Sequence, residues 1–179
     1  NKKYTFFIFD SNDGGLKLYS KYIGDRYGSS KEDTLRILNS LLEEGERRKE
    51  LVKNNGEDVL KELPYIIVII DRIAEFIPKI DRSFIDYLED VVKILKNYKV
   101  ITIATGTESD FKNNLYSVKF VKALKESGNG ILLDYMANQT FFSNVKLRYG
   151  TKEREIRTGD GYLILNTRYC SIKTPNNKK

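Results

Sequence analysis

The chain has 179 residues, 40% hydrophobic and 31% charged, the proportions of a globular protein long enough to bury a core. It holds no histidine and a single cysteine, Cys170. That excludes histidine triads, histidine-ligated metals, thiolate zinc sites and an internal disulfide, and fits a reducing compartment. The net charge of +6 is interspersed rather than clustered, which argues against DNA as a partner; the longest apolar runs are far too short to span a bilayer, and no signal peptide is legible.

In chain order, Tyr4-Thr5-Phe6-Phe7-Ile8-Phe9 is a strand that ends on the carboxylate of Asp10. Ser11-Asn12-Asp13-Gly14-Gly15 is turn chemistry, and Gly24 to Ser30 is a Gly/Ser loop. A long helix is predicted from Ser30 to about Asn54. Ser30 with Asp33 three residues on is a capping-box variant, and Leu35, Leu38, Leu41 and Leu42 form an apolar stripe renewed by Leu51 and Val52. Glu43, Glu44 and Glu46 precede Arg47, Arg48 and Lys49 at favourable spacings of three and four, and the Arg47-Arg48 pair suits either a functional role or, preferably, a solvated helix face.

Leu63-Pro64-Tyr65 leads into Ile66 to Ile70, five β-branched residues in a row that end at Asp71. A run apolar on both faces is a central strand of a parallel sheet covered on both sides. A polar residue at its carboxyl end lies where open α/β sheets place ligands. Two readings stand on this stretch alone: a Walker B strand whose Asp holds Mg²⁺, or a buried strand whose Asp begins a turn. Ser83 and Asp86 are expected to cap a helix that buries Phe84, Ile85, Leu88, Val91, Val92 and Leu95. Lys99 to Thr105 is a third strand, and the hydroxyls of Thr105-Gly106-Thr107 either sense a γ-phosphate or start a turn, the turn being the favoured reading.

Leu115 to Lys125 is predicted helical, Ile131-Leu132-Leu133 is a fourth strand, and Asn138 to Phe142 a helical turn. The apolar residues from Tyr135 to Phe142 suit either a partner patch or, preferably, a loop packed on the core. Gly161 to Leu165, a turn at Asn166-Thr167, and Arg168 to Ile172 form a closing hairpin. Residues 1–175 are expected to make one domain and 176–179 a disordered tail. The alternation of strand and helix predicts an α/β fold with a parallel sheet, the late antiparallel hairpin adding to one edge.

These segments together resemble the FtsK/SpoIIIE family of ring-forming motor ATPases, and most of all the ATPase modules of the EssC/EccC type VII secretion proteins. The resemblance runs along most of the chain. Phe7-Ile8-Phe9-Asp10 with Leu18-Tyr19 is similar to the strand and loop after the P-loop helix, and Glu44-Gly45-Glu46-Arg47-Arg48 to the family's Glu-Met-Glu-Arg-Arg helix. Leu63 to Asp71 resembles the Walker B strand, and Ala104-Thr105-Gly106-Thr107 stands at the Ala-Thr-Gln sensor turn. Gly130 to Leu133, Gln139 to Phe142 and Gly159 to Ile164 point to the secretion branch. The resemblance implies a RecA-like P-loop NTPase fold of three αβα layers, with helices on both faces of a mostly parallel sheet. It also implies the cytoplasmic part of a membrane-anchored bacterial protein.

The departures from the pattern bear on function. Active modules of the family carry Asp-Glu at the end of the Walker B strand; here the pair is Asp71-Arg72, and a guanidinium that stays protonated cannot serve as a base. Glu75, a helical turn further on, is poorly placed to substitute. The sensor position is Gly106, and Ser11-Asn12 replaces the usual Pro-Lys. No Gly-x-x-x-x-Gly-Lys-Ser/Thr occurs, so the P-loop and its strand are expected upstream of residue 1, and ATP with Mg²⁺ is expected only where that loop is present. Without that strand, the strands ending at Asp10, Asp71 and Thr105 should still be neighbours, with a gap or altered contact beyond the third. The resemblance therefore implies a degenerate ATPase module, most like the C-terminal one of an EssC-type secretion motor, that keeps Asp71, Arg72, Thr105 and Gly106 as remnants of a nucleotide site. It assigns the module no catalytic residue and no metal ligand. Its implied partners are secreted proteins or peptides and the neighbouring ATPase modules of the same polypeptide. Two alternatives stay open: an active ATP-dependent DNA translocase domain, and a structural or interaction domain that kept the fold and lost every ligand. Arg72 could also pair with Asp71 and fill a vacant metal site with a salt bridge.

Overall fold

The computed structural model describes residues 3–11, 15–111, 118–137, 139–142, 144–146, 153 and 155–173. Asn12, Asp13, Gly14, Asn138, the predicted helix start at 115–117 and the expected tail 176–179 lie outside the described residues. The chain folds into two compact units, Asn1–Val121 and Lys122–Lys179.

The first unit is built on an all-parallel sheet in the order β2-β1-β3-β4, with β1 Tyr4–Asp10, β2 Tyr27–Gly28, β3 Tyr65–Asp71 and β4 Val100–Ala104. The register pairs Phe9 with Ile70 and Asp10 with Asp71, and Ile70 in turn with Ala104. The strands ending at Asp10, Asp71 and Thr105 are thus neighbours, as predicted. The predicted Gly/Ser loop contains β2, which pairs only Tyr27 with Ile8 and Gly28 with Phe9. Two residues are too few for any periodicity to show.

Side chains alternate across β3. Ile66, Val68 and Ile70 are at most 1% exposed, while Tyr65, Ile67 and Ile69 on the other face are less covered. On that second face Tyr4, Phe6, Tyr65, Ile101 and Ile103 remain 40–52% exposed. Two helices pack together in this unit, α2 (Lys31–Asn55) and α4 (Arg82–Lys93). Gly45 of α2 lies so close to Leu95 that a Cβ there would stand 2.8 Å from Leu95 Cδ1, and the Tyr87 hydroxyl of α4 donates to the Leu41 carbonyl at 2.9 Å.

Helix α2 starts as predicted, with Ser30 Oγ accepting from the Asp33 amide at 3.0 Å, and it stops at Gly56, whose φ of 79° ends the helical path. Its buried line is Thr34, Ile37, Leu38, Leu41, Gly45 and Arg48. Leu42 is instead 37% exposed, so the predicted stripe is rotated toward the 37/41/45/48 side. Arg48 is the largest correction. Its side chain is 1% exposed and forks to the Tyr98 and Pro64 carbonyls, both at 2.9 Å, and to Glu44 at 2.8 Å. It ties α2 to the segments that feed β4 and β3. Arg47 is the residue that faces solvent, paired with Glu44. Helix α4 begins at Arg82 after Asp81, and Asp81 makes no capping side-chain bond. Ser83 and Asp86 therefore lie inside the helix rather than at its cap. Leu88, Val91 and Leu95 are fully buried, in line with the predicted face.

The unit boundary falls within α5 (Lys119–Ser127). The second unit is an antiparallel sheet in the order β5-β6-β7, with β5 Asn129–Leu132, β6 Asp160–Leu165 and β7 Arg168–Lys173. The predicted hairpin forms, with Asn166 at φ 57° in its two-residue turn. Its partner is β5 in this separate sheet, not an edge of the parallel one, because Asn129 to Leu132 pairs with Tyr162 to Leu165. Met136, Val145, Tyr162 and Ile164 form the core of this unit, with Leu132, Phe142, Ile156 and Tyr169 packed around it. Met136 and Phe142 thus belong to a packed loop, the blander of the two readings for that stretch. The Glu153 carboxylate accepts from the Met136 and Ala137 amides and so ties the loop at that point. Residues 139–142 form a turn rather than a helix.

Candidate functional site

Parallel strands point their carboxyl ends the same way, so the level ends of β1, β3 and β4 bring Asp10, Asp71 and Thr105 to one edge. Asp10 is 1% exposed and its Oδ2 accepts from the Leu16 amide at 3.1 Å and the Tyr27 hydroxyl at 2.8 Å. Asp10 therefore organises the loop between β1 and α2. The same loop passes beside Asp71: a Cβ on Gly15 would lie 3.7 Å from Asp71 Oδ2.

Three of the four predicted remnants come together at the ends of β3 and β4. The Thr105 hydroxyl donates to Asp71 Oδ1 at 2.7 Å and accepts from the Arg72 amide at 2.9 Å. The backbone ladder continues past the strands, with the Thr105 amide on the Ile70 carbonyl at 3.0 Å and the Ile73 amide on the Thr105 carbonyl at 2.9 Å. Arg72 sits at φ 52°, ψ 72°, the left-handed region that non-glycine residues seldom occupy. This turn carries the chain from β3 into α3 (Ile73–Phe76), whose Ile73 and Phe76 are fully buried.

The expected Asp71–Arg72 salt bridge is not formed. The left-handed turn sends the guanidinium along α3, where it meets Glu75 at 2.8 Å, both side chains about half exposed. Asp71 has the Thr105 hydroxyl instead. Gly106, the fourth remnant, has a steric reason for being glycine. A Cβ there would meet the Phe111 ring at 3.0 Å and Ile73 Cγ2 at 3.1 Å. The Thr105-Gly106-Thr107 stretch is also the predicted turn. The Thr107 amide donates to Asp110 Oδ2 at 2.7 Å and the Asp110 amide reaches back to Thr107 Oγ1 at 3.3 Å, a reciprocal cap that starts one helical turn at 108–111.

Sequence pattern missed Lys79. Its ammonium donates to the Ser11 carbonyl at 2.9 Å and the Ser29 carbonyl at 3.4 Å, so it braces the loops that follow β1 and β2. A lone lysine in a short helical stretch, Ile77–Lys79, carries no signal that would reveal this. Tyr27 was likewise passed over as part of a loop.

Among the described residues no group of three or more His, Cys, Asp or Glu side chains is placed to hold a metal ion. Asp71 is the residue whose position suits a Mg²⁺-bound water, but one of its oxygens is engaged by Thr105, the residue after it is a cation, and the sequence has no glycine-lysine phosphate cradle. The residues of this chain do not by themselves fit ATP with Mg²⁺.

The first unit is thus an open parallel α/β sheet with carboxylates at the ends of adjacent strands. Comparison with solved structures finds the same fold in the cytoplasmic domain of EssC, with a TM-score of 0.73, 18% identity and 96% of this chain covered. It is found too in EssC ATPases 2 and 3 from Geobacillus thermodenitrificans, with a TM-score of 0.75, 18% identity and 97% coverage. The chain spans about a third of the length of those proteins, 33% and 31%. At this identity the likeness is one of fold. No protein-family model matches the chain, and no curated protein matches it. No helix among the described residues is long and apolar enough to cross a membrane.

Proposed function

We propose that this chain is a degenerate ATPase module of a type VII secretion motor, with little or no hydrolysis of its own. Both compact units belong to that one module. It acts by recognising secreted proteins or peptides, or by regulating neighbouring ATPase modules of the same polypeptide, on the cytoplasmic side of a membrane-anchored bacterial protein. The likeness to EssC over nearly the whole chain supports the module. The observation that carries its degenerate status is the end of β3. The position after Asp71 holds Arg72, whose guanidinium is paired with Glu75 and cannot take a proton from water. Glu75 is engaged by that cation at 2.8 Å, with its side chain about half exposed.

The test is nucleotide binding by calorimetry and phosphate release, with ATP and Mg²⁺, on a polypeptide extended upstream of Asn1. Binding without turnover is the expected result. Turnover near one per second, within the usual range for enzymes, would refute the reading. Steep salt-dependent binding to DNA would favour a translocase instead.

A further inference from the structure

The ends of β3 and β4 hold more bonds than a strand end needs. Arg72 is kept in a left-handed conformation that costs an L-residue energy, and such residues persist where their surroundings over-determine them. Here the surroundings are specific. Thr105 spans the turn from the β4 side, accepting from the Arg72 amide and donating to Asp71 with one hydroxyl. Its carbonyl takes the next amide, that of Ile73. Phe111 lies beyond, on the open side of Gly106: a Cβ there would stand 3.0 Å from its ring and 3.1 Å from Ile73 Cγ2, so only glycine leaves room between the two. The ring is placed by the 108–111 turn, which the Thr107–Asp110 cap fixes.

We propose that Asp71–Ile73 and Thr105–Phe111 form a latch. It holds the left-handed Arg72 turn in one conformation with no ligand present, and it makes the turn at 108–111 and the Asp71 end move as one body. Thr105 is the catch, and Phe111 seated on Gly106 is the positioning residue that couples the two loops. This goes beyond the proposed function and does not require it, since the latch would be built the same way whether or not nucleotide is hydrolysed. Its consequence is that a partner engaging the chain around Phe111 would displace Asp71 and Arg72 as well.

The experiment is amide hydrogen exchange, read residue by residue by NMR on the full 179-residue chain without nucleotide. In the unaltered protein the Arg72 and Ile73 amides should be protected. Thr105→Val keeps the shape and removes the hydroxyl; it should speed Arg72 exchange on the order of fivefold, the equivalent of one net hydrogen bond, and Thr105→Ser should restore the protection. Phe111→Ala should speed exchange at Arg72 and Ile73, far from it in sequence, together with residues 105–110. Unprotected Arg72 and Ile73 amides in the unaltered chain would overturn the latch. So would a Phe111→Ala effect confined to residues 107–111. Neither result bears on hydrolysis, so failure here and failure of the proposed function are read separately.

Discussion

Replacing Arg48 with Met tests whether the buried guanidinium holds the first unit together. The side chain is 1% exposed, and the substitution takes donors from the Pro64 and Tyr98 carbonyls. A buried acceptor left without its donor costs about 1–3 kcal/mol, while the methionine stem recovers part of the packing of the arginine it replaces. Glu44 keeps its bond to Arg47 at 2.6 Å, so no isolated carboxylate is stranded. With two such acceptors and part of the packing recovered, a net loss of about 2–4 kcal/mol follows. Against a total stability of about 5–15 kcal/mol this is large, and it corresponds to a fall in Tm of roughly 10 °C. Arg47→Met is the control. That side chain is 51% exposed, and an exposed pair contributes about 0–1 kcal/mol. Urea and thermal unfolding followed by circular dichroism would measure both variants. Equal midpoints for Arg48→Met and Arg47→Met would refute the reasoning, because the fork to two carbonyls would then contribute nothing. Arg48→Lys should fall between them, since an ammonium keeps the charge and loses the planar fork.

Gly45→Ala should destabilise even though alanine improves helix propensity by about 1 kcal/mol, because the new Cβ would stand 2.8 Å from buried Leu95 Cδ1 and overpacking costs about 1–3 kcal/mol; a raised Tm would count against the packing of α2 on Leu95. Ser30→Ala should cost about 1 kcal/mol in urea unfolding, through loss of the cap on the Asp33 amide. Stability should also fall in acid. For Glu44, burial alone would raise the carboxyl, but hydrogen bonds from Arg47 and Arg48 outweigh it and hold the group below its ordinary 4.5; for Asp33, the bonds from Arg36 and Ser30 hold it below 3.8. Groups lowered by folding stabilise fully above their unfolded values, so this contribution is present at neutral pH and is lost as the pH falls below about 4.5 through the folded values; Glu44→Gln should flatten that acid limb of the urea midpoint against pH. Ile103→Lys on β4, the last strand in its sheet order and 47% exposed there, should slow aggregation of the isolated chain, measured by light scattering, with little change in Tm.

Local chemistry determined much of this protein from sequence alone. Five β-branched residues ending at Asp71 are a strand in any context that buries them, and Ser30 with Asp33 begins a helix because the hydroxyl and amide are three residues apart. That the strands ending at Asp10, Asp71 and Thr105 run parallel was legible because helices lie between them in sequence, whereas their being neighbours was implied by the family resemblance. That the residue after Asp71 cannot act as a base could be read from one letter, since no fold makes a guanidinium accept a proton at neutral pH.

Tertiary structure decided the rest, and the reason is the same in each case: the deciding partner is distant in sequence. Arg48 lies at a spacing that suits an exposed ion pair, and only the arrival of Pro64 and Tyr98 from other segments makes it buried. Arg72 turned to Glu75 rather than Asp71 because Thr105, 33 residues away, holds its amide in a left-handed turn. Gly106 reads from sequence as a lost sensor, and only the structure adds that a Cβ there would stand 3.0 Å from the ring of Phe111. The closing hairpin was predicted as a pair, but periodicity names no partner, and the register of Asn129–Leu132 against Tyr162–Leu165 gave it a sheet of its own. Short-range patterns specify which residues can form an element; long-range contacts specify which element each one meets.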